Sequence, residues 1–562
     1  MATFVDKGYR VTLLDYGAGN VRSIRNALKA LGCEIIDVKS SKEIEQAEIL
    51  VFPGVGAFGA AVERLKRMRV WDALKKYLGN SQRPFLGICI GMQVLFEGSD
   101  ESPEMEGLGI FQGRVKRFEI DQAVPHIGWN FVQGQGIIPT GRYYYVHSFC
   151  VPTHNLSTSS KNIMLCTTEY GGLSFIAGIQ NDRQCAVQFH PEKSAKMGLN
   201  MLQHFFSNTL PIQTKTLTTT QGGLARRIVA ALDVRENDSG DLVVTKGDSY
   251  DVREKEEQGE TRSQTRRKVR NLGKPVDLAA RYYQEGCDEL AFLNICAFKG
   301  DALDDLPLLE VLRQASEQIF VPMTVGGGIR SYKAKDDTWV EALQVAAAYF
   351  RAGADKISIG SDAVYAAQKY YAANKQTFGD SSIEQISTNY GAQAVVISVD
   401  PKRAWVASKK EKDAMEKTDN EASRKFIITH PTARGPNGET MCWYRCTVSG
   451  GRKDTDLDAI QLCKASQALG AGEIMLNCID TDGKQSGFEL PLISLVKQHV
   501  SIPVIASSGA GSPDHFVDVF TKTNPPVDAA LAAGIFHRKQ VAISQVKAAL
   551  ASAHLPVRDH HA

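Results

Sequence analysis

The sequence predicts an α/β protein of two domains, an open α/β sheet followed by a barrel of alternating strands and helices. Apolar runs of strand length alternate with stretches of helical periodicity along most of the chain. Eight such strand-like runs recur in the second part of the chain, as in a β/α barrel. The length of 562 residues also exceeds what one hydrophobic core usually serves. We therefore expect at least two domains.

The first domain begins at Val11 with the run VTLLDYGAGN, and the runs EILVFPGVGAF and RPFLGICIG follow it. Each run ends in a glycine turn, and helical stretches such as VRSIRNALKALG separate them, which is typical of an open α/β sheet. The later runs YYYVHSF, FIAGI and CAVQFH lie closer together and predict hairpins added to that sheet.

A Thr-rich stretch, NTLPIQTKTLTTTQGG, then interrupts the pattern. It is poor in large apolar residues, which is typical of a linker. We predict a first domain over residues 1–207, a linker over 208–223 and a barrel over 224–562.

The predicted barrel strands are RIVAALDV, DELAFLNI, VPMTVGGG, DKISIGS, AVVISVD, GEIMLNCID, IPVIASSG and DAALAAGIF. The last four resemble the first four strand for strand, so the barrel is interpreted as two fused half-barrels. This pairing places Asp233 opposite Asp400 and Glu289 opposite Glu473.

Two polar insertions follow strands one and five, near residues 253–268 and 407–425. Segments with so few apolar groups cannot repay the entropy of ordering, so both are expected to be mobile loops. The first contains the basic run RSQTRRK, but the glutamates around it favour a solvated loop over a nucleic-acid site.

Composition argues against several classes of function. The 65 Lys and Arg nearly balance the 63 Asp and Glu, so no overall charge attracts nucleic acid or an anionic membrane. No apolar run approaches the roughly 18 residues of a membrane span. The 11 Cys are scattered without a CxxC pair, which favours a reducing compartment and no metal site; Cys442 and Cys446 are interpreted as core.

The first residues lack the pattern of a secretory signal or of an organelle transit peptide. We therefore expect a cytoplasmic protein, or a plastid protein whose transit peptide has been removed.

A candidate nucleophile lies in PFLGICIGMQ, where an apolar strand ends in a Gly-Ile-Cys-Ile-Gly turn and a helix follows. Gly87 and Gly91 permit a tight turn, the thiol counterpart of the G-x-S-x-G nucleophile elbow. Such a turn presents Cys89 at a helix N-terminus, where the helix dipole and a nearby imidazolium favour the thiolate. A single Cys is more often a core residue, but two further features count against that interpretation.

The first feature is QFHPEKS, in which His190 and Glu192 are two residues apart and face the same way in an extended segment. A base oriented by a carboxylate is the arrangement of a catalytic triad. The second is the turn FPGVGAF, whose backbone N–H groups at Gly54, Val55 and Gly56 could stabilise an oxyanion. The alternative for that turn is a simple chain reversal.

Together these motifs resemble the class I glutamine amidotransferases, with a flavodoxin-like sheet, over about residues 10–207. The resemblance implies that Cys89 attacks the side-chain amide of glutamine, that His190 protonates the departing ammonia and that water then frees glutamate. The residues themselves supply a nucleophile, a base and an orienting carboxylate; only the resemblance supplies glutamine.

Asp233 and Asp400 end strands one and five, which are opposed among eight. Catalytic residues project from the C-terminal ends of barrel strands, so the pair suits general acid and base work on one substrate. The alternative is that each caps the loop that follows.

Glycine-rich turns follow strands three and seven, in GGGIR and SSGAG, and strands four and eight add similar turns. Their backbone N–H groups suit phosphate, and nests on opposite sides predict a substrate with a phosphate at each end. The candidate residues are Gly328, Gly360, Ser361, Gly509 and Gly534.

The barrel resembles those of histidine biosynthesis, and RRIVAALDV, VVTKGDSYD, ISVDPKR and IDTDGKQSG resemble the cyclase of the imidazole glycerol phosphate synthase family, from about Leu224 to Arg558. The resemblance implies that Lys246 lies in a loop that closes over the substrate, that Asp482 assists the two aspartates and that Gly483 binds substrate.

It also implies the substrate phosphoribulosyl-formimino-aminoimidazole carboxamide ribonucleotide (PRFAR). The products are imidazole glycerol phosphate and aminoimidazole carboxamide ribonucleotide (AICAR). No cofactor is expected.

Charged residues precede several barrel strands, namely Arg227, Glu289, Lys356 and Glu473. Composition alone favours salt bridges on the barrel floor, whereas the resemblance implies a gate for ammonia that faces the first domain. On resemblance alone, the domain interface is expected to contain Tyr144, His147, Lys193, Asp355 and Gln393. Because both catalytic units lie in one chain, a monomer is expected.

Two other functions stay open. The first domain could serve a different acceptor, as in anthranilate or carbamoyl phosphate synthesis, or it could be an inactive scaffold. The intact Cys, His and Glu argue against a scaffold. A dinucleotide site at Gly17–Gly19 is rejected because Arg22 stands where G-x-G-x-x-G needs its third glycine.

Overall fold

The computed structural model describes residues 8–17, 19–156, 163–211, 223–236, 242–245, 272–295, 306–334, 336–418 and 421–559. Lys246, the first polar insertion and most of the predicted linker lie outside the described residues.

The N-terminal domain contains thirteen strands: β1 (Arg10–Leu13), β2 (Glu34–Asp37), β3 (Ile49–Phe52), β4 (Phe85–Ile88), β5 (Gly98–Ser99), β6 (Ser102–Glu106), β7 (Arg114–Arg117), β8 (His126–Val132), β9 (Gly141–His147), β10 (Phe149–Cys150), β11 (Ile163–Tyr170), β12 (Leu173–Asn181) and β13 (Gln184–Val187), counted over the described residues. Its helices are α1 (Val21–Ala30), α2 (Ser41–Glu45), α3 (Phe58–Arg67), α4 (Trp71–Leu78), α5 (Ile90–Gln93) and α6 (Ala195–Ser207).

Seven of these strands form the predicted open sheet, in the order β11-β12-β13-β4-β3-β1-β2. Strands β2, β1, β3, β4 and β13 run parallel, and β12 and β11 are added antiparallel. The segment YYYVHSF differs from the prediction, because β9 pairs with β8 in a separate hairpin and not with this sheet. The parallel strands bring the ends of β3, β4 and β13 together at one edge.

The C-terminal domain contains the strands β14 (Arg227–Glu236), β15 (Leu242–Val244), β16 (Glu289–Asn294), β17 (Met323–Gly326), β18 (Tyr332–Lys333), β19 (Trp339–Val340), β20 (Lys356–Ile359), β21 (Val395–Val399), β22 (Pro401–Val406), β23 (Ile428–Thr429), β24 (Met441–Val448), β25 (Lys453–Asp458), β26 (Glu473–Asn477), β27 (Val504–Ser507) and β28 (Ala529–Ala532). Its helices are α7 (Pro275–Gln284), α8 (Leu306–Gln318), α9 (Ala342–Ala352), α10 (Ser361–Ala372), α11 (Ser382–Tyr390), α12 (Lys409–Glu416), α13 (Ala459–Ala468), α14 (Leu490–Lys497), α15 (Pro513–Lys522), α16 (Gly534–His537) and α17 (Ile543–Ser552).

Eight strands close into a parallel barrel, in the order β14-β16-β17-β20-β21-β26-β27-β28, and β28 pairs back to β14. All eight predicted barrel strands are thereby confirmed. The half-repeat extends to the register, because Val229 pairs with Glu289 in the first half and Val396 pairs with Glu473 in the second.

The second polar insertion is more ordered than the expected loop, because residues 407–425 contain helix α12. The Ser408 hydroxyl caps this helix by accepting the Glu411 backbone N–H at 3.2 Å. Beyond it, the Lys425 ammonium is buried 4.5 Å from the centre of the Trp443 ring. Charge content alone did not reveal these local interactions. Cys442 and Cys446 are buried on β24, as predicted.

The N-terminal domain lies against the end of the barrel where the strands begin. The indole Nε1 of Trp129 donates to the carbonyl of Asp288, the residue before β16, at 3.1 Å. The Asn26 amide on α1 donates to the carbonyl of Ser316 on α8 at 2.8 Å. In the part of the chain that the structure describes, no helix is both long and apolar enough to cross a membrane.

Candidate active sites

The nucleophile elbow has the predicted form, with Cys89 between β4 and α5. Its φ of 54° lies in the left-handed region, which non-glycine residues rarely adopt and which is frequent at active sites. A Cβ at Gly91 would lie 1.9 Å from the carbonyl oxygen of Phe52, so the backbones meet too closely for any side chain there. The strand order and this glycine hold the thiol at the edge of the sheet.

His190 and Glu192 complete the predicted triad geometry. The imidazole Nδ1 lies 2.8 Å from Glu192 Oε1, and both side chains are almost fully buried. Burial acts to lower the pKa of His190, but Glu192 and the adjacent Cys89 thiol raise it well above its ordinary value. Nε2 has no hydrogen-bond partner among the described residues, so this nitrogen is available to exchange a proton.

The predicted oxyanion turn is present, and its Gly54 carbonyl contacts the elbow. The Gly54 carbonyl accepts the Ile90 N–H at 3.4 Å, and the Val55 carbonyl accepts the Tyr16 hydroxyl at 3.3 Å. The N–H after a nucleophile is a usual oxyanion donor. In this conformation the Ile90 N–H is bonded to the Gly54 carbonyl, and the role of Gly54, Val55 and Gly56 in oxyanion binding stays a prediction.

Two glutamines beside the thiol were missed by the sequence reasoning. The Gln188 amide donates to Cys89 Sγ at 3.5 Å, and Gln93 donates to Gln188 Oε1 at 3.1 Å. Gln188 lies two residues before His190 in an extended segment, so the spacing that linked His190 to Glu192 also predicts that it faces the thiol.

A cavity of about 510 Å³ opens at the C-terminal ends of the barrel strands. Asp233 and Asp400 both line it. The structure also brings the other predicted substrate residues that it describes into the lining: Gly328, Gly360, Ser361, Asp482, Gly483, Gly509 and Gly534. The cavity is large enough for a drug-sized ligand.

Asp400 is held by specific donors. The Asn477 amide donates to Asp400 Oδ1 at 2.8 Å, and the Ser398 hydroxyl donates to the same oxygen at 3.4 Å. Burial and the neighbouring Asp482 carboxylate raise the pKa of Asp400, against the two donors, which act to lower it. A carboxyl group whose pKa is raised is suited to proton transfer near neutral pH.

The two predicted phosphate turns adopt related backbone conformations. Gly327 and Gly328 have φ values of 109° and 72°, and Ser508 and Gly509 have values of 75° and 97°. Successive backbone groups in such conformations form concave anion sites. Four guanidinium groups that the sequence reasoning missed also line the cavity and suit a doubly phosphorylated substrate: Arg235, Arg330, Arg452 and Arg538.

The four charged residues at the strand starts form one buried ring across the barrel floor, which we call the floor ring: Arg227, Glu289, Lys356 and Glu473. Lys356 Nζ lies 2.7 Å from Glu289 Oε1 and 2.6 Å from Glu473 Oε2. The Arg227 guanidinium contacts both carboxylates, at 2.9 Å in the case of Glu289. Two positive and two negative charges therefore balance inside the protein.

Four of the five predicted interface residues meet at the domain boundary. Lys193 Nζ lies 2.7 Å from Asp355 Oδ2, and a cavity of about 20 Å³ is lined by Tyr144, Gln393, these two residues and the triad residue His190. This cavity places the interface directly beside the triad.

His147 is a correction to the predicted interface. Its Nδ1 lies 2.7 Å from the Phe149 carbonyl and its Nε2 lies 3.0 Å from His126 Nδ1, inside the N-terminal domain. Alternate residues of a strand face opposite sides, so His147 points away from Tyr144 on β9. Burial lowers the pKa of His147 to about 3.

Comparison with known proteins identifies the same two domains. A model of class-I glutamine amidotransferases matches residues 12–209, and a model described as histidine biosynthesis protein matches residues 227–542. The chloroplastic imidazole glycerol phosphate synthase hisHF of Arabidopsis thaliana is 50% identical over 98% of this chain and 89% of its own length. The imidazole glycerol phosphate synthase hisHF of Schizosaccharomyces pombe is 48% identical over 96% of this chain and 98% of its own length.

The chain belongs to the imidazole glycerol phosphate synthase family. The barrel by itself matches a further relative, the subunit HisF of Halobacterium salinarum, which is 33% identical over 60% of this chain and 98% of that protein. The chain is thus a multifunctional enzyme of histidine biosynthesis, with a glutamine amidotransferase domain fused ahead of a β/α barrel.

Proposed function

We propose that the triad hydrolyses glutamine and that its ammonia passes through the floor ring to the barrel cavity, where PRFAR is converted to imidazole glycerol phosphate and AICAR. The observation that carries this proposal is the arrangement of the two sites at opposite ends of one closed barrel. The small cavity beside His190 lies at the strand starts, and Asp233 and Asp400 line the cavity at the strand ends.

In the glutaminase half-reaction, the Cys89 thiolate attacks the side-chain amide carbon of glutamine. His190, held by Glu192 at 2.8 Å, gives its proton to the departing ammonia, and a thioester remains. Water then attacks the thioester with His190 as base. Glutamate leaves, and the Cys89 thiol is restored. The Gln188 amide fixes the sulfur before attack.

This half-reaction requires a change at the oxyanion turn. Release of the Ile90 N–H from the Gly54 carbonyl supplies a donor for the tetrahedral oxyanion. A resting state with this donor occupied disfavours glutamine hydrolysis.

In the barrel, Asp233 and Asp400 act as the acid and the base while ammonia attacks, the bond to AICAR breaks and the imidazole ring closes. The two glycine turns bind one phosphate each, and this fixes the substrate between the aspartates. Asp482, which lines the cavity, assists the two aspartates, and Lys246 is proposed to assist as well.

The floor ring is the proposed gate between the sites. Ammonia that reached water at neutral pH would become ammonium, which is no nucleophile, so an internal route preserves its reactivity. Opening the ring breaks at least one of its ion pairs, so the closed ring blocks passage until a pair separates.

We further propose that the domains are divided at 207 and 224 and that the chain acts as a monomer, because one chain carries both catalytic domains. Sedimentation at a mass near 61.5 kDa under assay conditions is the expected result. A dimer at these concentrations would contradict it.

The proposal is tested by comparing glutamine and ammonium salt as nitrogen donors in Cys89→Ala and Asp400→Asn. Cys89→Ala is expected to lose the glutamine reaction and to keep cyclisation with ammonium, whereas Asp400→Asn loses product from both donors. Persistent glutamine-driven cyclisation in Cys89→Ala would contradict the scheme.

A further inference from the structure

The two half-barrels differ in one layer of side chains below the catalytic aspartates. Strand register places Leu293 beside Asp233 in the first half. The same register in the second half places Asn477 beside Asp400, because Val396 pairs with Glu473 and the strands continue in step.

The difference extends to the neighbouring positions of the same layer. Ala231 in the first half corresponds to Ser398 in the second, and Gly326 corresponds to Ser507. All of these residues line the barrel cavity. The layer is therefore apolar around Asp233 and polar around Asp400.

The polar residues are joined to one another as well as to the aspartate. The Asn477 amide donates to Asp400 Oδ1 at 2.8 Å and to the Ser398 hydroxyl oxygen at 3.1 Å. The Ser398 hydroxyl in turn donates to Asp400 Oδ1 at 3.4 Å. Neither Ala231 nor Leu293 has a side-chain donor, so the groups that hold Asp233 must come from other positions.

We propose that Asn477 is a positioning residue for the barrel reaction: its amide fixes the direction of the Asp400 carboxylate, a function that the symmetry-related Leu293 cannot perform for Asp233. This inference rests on the proposed cyclase function. It makes the two aspartates unequal, because one is held by the polar layer of its own half-barrel and the other is not.

The groups that face Asp400 set the expected direction of a pH effect. Asp482 approaches from the loop after β26, Cys446 from the inserted strand β24, and Ser398 from its own strand. The Asn477 amide stabilises the ionised carboxylate. Loss of this amide therefore makes Asp400 release its proton at higher pH.

The test uses the full-length enzyme with PRFAR and ammonium salt, so that the glutaminase is bypassed. Asn477→Leu installs the residue of the first half-barrel at nearly constant volume. We expect kcat to fall roughly 10- to 100-fold with little change in KM, as for loss of a hydrogen bond to a charged group. One limb of the pH–rate profile should move to higher pH. A shifted acidic limb assigns Asp400 as the base, and a shifted alkaline limb assigns it as the acid.

Two further variants separate positioning from damage to the fold. Asn477→Thr retains a donor and is expected to recover part of kcat and of the pH profile, and Ser398→Ala to give a smaller loss in the same direction. Asn389→Leu, the same change on the exposed face of α11, controls for the substitution itself. A lower kcat with an unmoved pH profile in Asn477→Leu, or a change in KM alone, would overturn the proposal. Absence of cyclisation in the wild type would instead refute the proposed function.

Discussion

The glutaminase site and the barrel site differ in how each meets solvent. Cys89, His190 and Glu192 are each at most 4% exposed, and the adjoining cavity is about 20 Å³. The barrel site is a cavity of about 510 Å³ that opens at the strand ends. The groups of the first site are thus buried beside the domain interface, whereas the second site is an open cavity already large enough for a sizeable substrate.

This difference favours an order of events in which the barrel site binds its substrate before the glutaminase site acts. In the proposed mechanism, the Ile90 N–H has to leave the Gly54 carbonyl before it can serve as an oxyanion donor. The barrel cavity is open at the strand ends, and the Lys193–Asp355 ion pair crosses the interface beside His190. Coupling of this kind requires that barrel occupancy favour the rearranged triad.

The largest expected effect is the loss of the glutamine-driven reaction while the ammonium-driven reaction is retained. His190→Asn removes the base of the triad, so glutamine-driven product formation should fall roughly 10⁴-fold, the scale seen when a triad base is disabled. Cyclisation with ammonium salt should stay within about twofold, because the barrel site is untouched. Steady-state assays with both nitrogen donors measure this.

Asp233→Asn is the matched variant on the other side of the comparison. It should reduce product from both donors to the same extent. A variant at Asp233 that lost only the glutamine-driven reaction would show that the sites are not arranged in series.

The floor ring gives the next largest effect. Glu473→Gln leaves Arg227 and Lys356 with Glu289 as the single carboxylate, and removing one partner of a buried ion pair costs about 3–5 kcal/mol. The free energy of unfolding should fall by this amount in urea titrations. Product formed per glutamate released should fall as well, because the proposed gate is damaged.

Glu310→Gln is the control for the loss of a surface carboxylate, since its pair with Arg313 is half exposed. We expect no measurable change in the free energy of unfolding there, because solvent screens an exposed ion pair. Equal effects of the two substitutions would contradict the assigned importance of burial.

The third prediction concerns pH at the buried triad. Glu192 raises the pKa of His190, so Glu192→Gln should lower that pKa and move the alkaline limb of glutamine hydrolysis to lower pH. Cyclisation with ammonium salt should keep its pH profile. Rates measured from about pH 6 to 10 cover the shift from the ordinary histidine value of ~6.5.

The His190–Glu192 pair also makes the free energy of unfolding depend on pH. The folded pKa of His190 lies above its unfolded value, so the protonated pair stabilises the fold fully below about pH 6.5 and this contribution is lost as pH rises through the folded pKa. The stability difference between wild type and Glu192→Gln should therefore shrink at alkaline pH. A difference that grew with pH would refute the assigned cause.

The smallest predicted effect is at Gln188. Its neutral amide contacts Cys89 Sγ at 3.5 Å, and a neutral hydrogen bond contributes about 1 kcal/mol. Gln188→Leu should thus slow glutamine hydrolysis roughly 3- to 10-fold without changing the barrel reaction. Gln314→Leu on the exposed side of α8 is the control, and its rates should match wild type.

Much of the fold and of both sites could be predicted from local patterns. The run before Cys89 and the run before Asp400 are short, apolar and bounded by turns, so strand and strand-end positions follow directly. The half-barrel pairing then predicted opposed aspartates. Glycine turns have a backbone requirement that is visible in sequence, as Gly91 shows against the Phe52 carbonyl.

The features that could not be predicted from the sequence depend on peptide orientation and on specific contacts between side chains. The direction of the Gly54 carbonyl is a matter of peptide orientation, which residue type does not determine in a glycine-rich turn. Helix α12 begins with two local hydrogen bonds, from the Glu411 N–H to the Ser408 hydroxyl and from the Ala407 N–H to the Glu411 carboxylate, within a highly charged stretch. His147 was assigned by resemblance, although strand alternation from Tyr144 places it on the opposite face.

The floor ring has a consequence for the response of the enzyme to ionic strength. Mobile ions screen charges that they can approach, over about 8 Å at physiological salt. The four side chains of the ring are at most 1% exposed, so dissolved ions cannot approach them closely. Added salt should therefore weaken binding of the bisphosphorylated substrate in the open cavity at concentrations that leave the ion pairs of the floor ring intact.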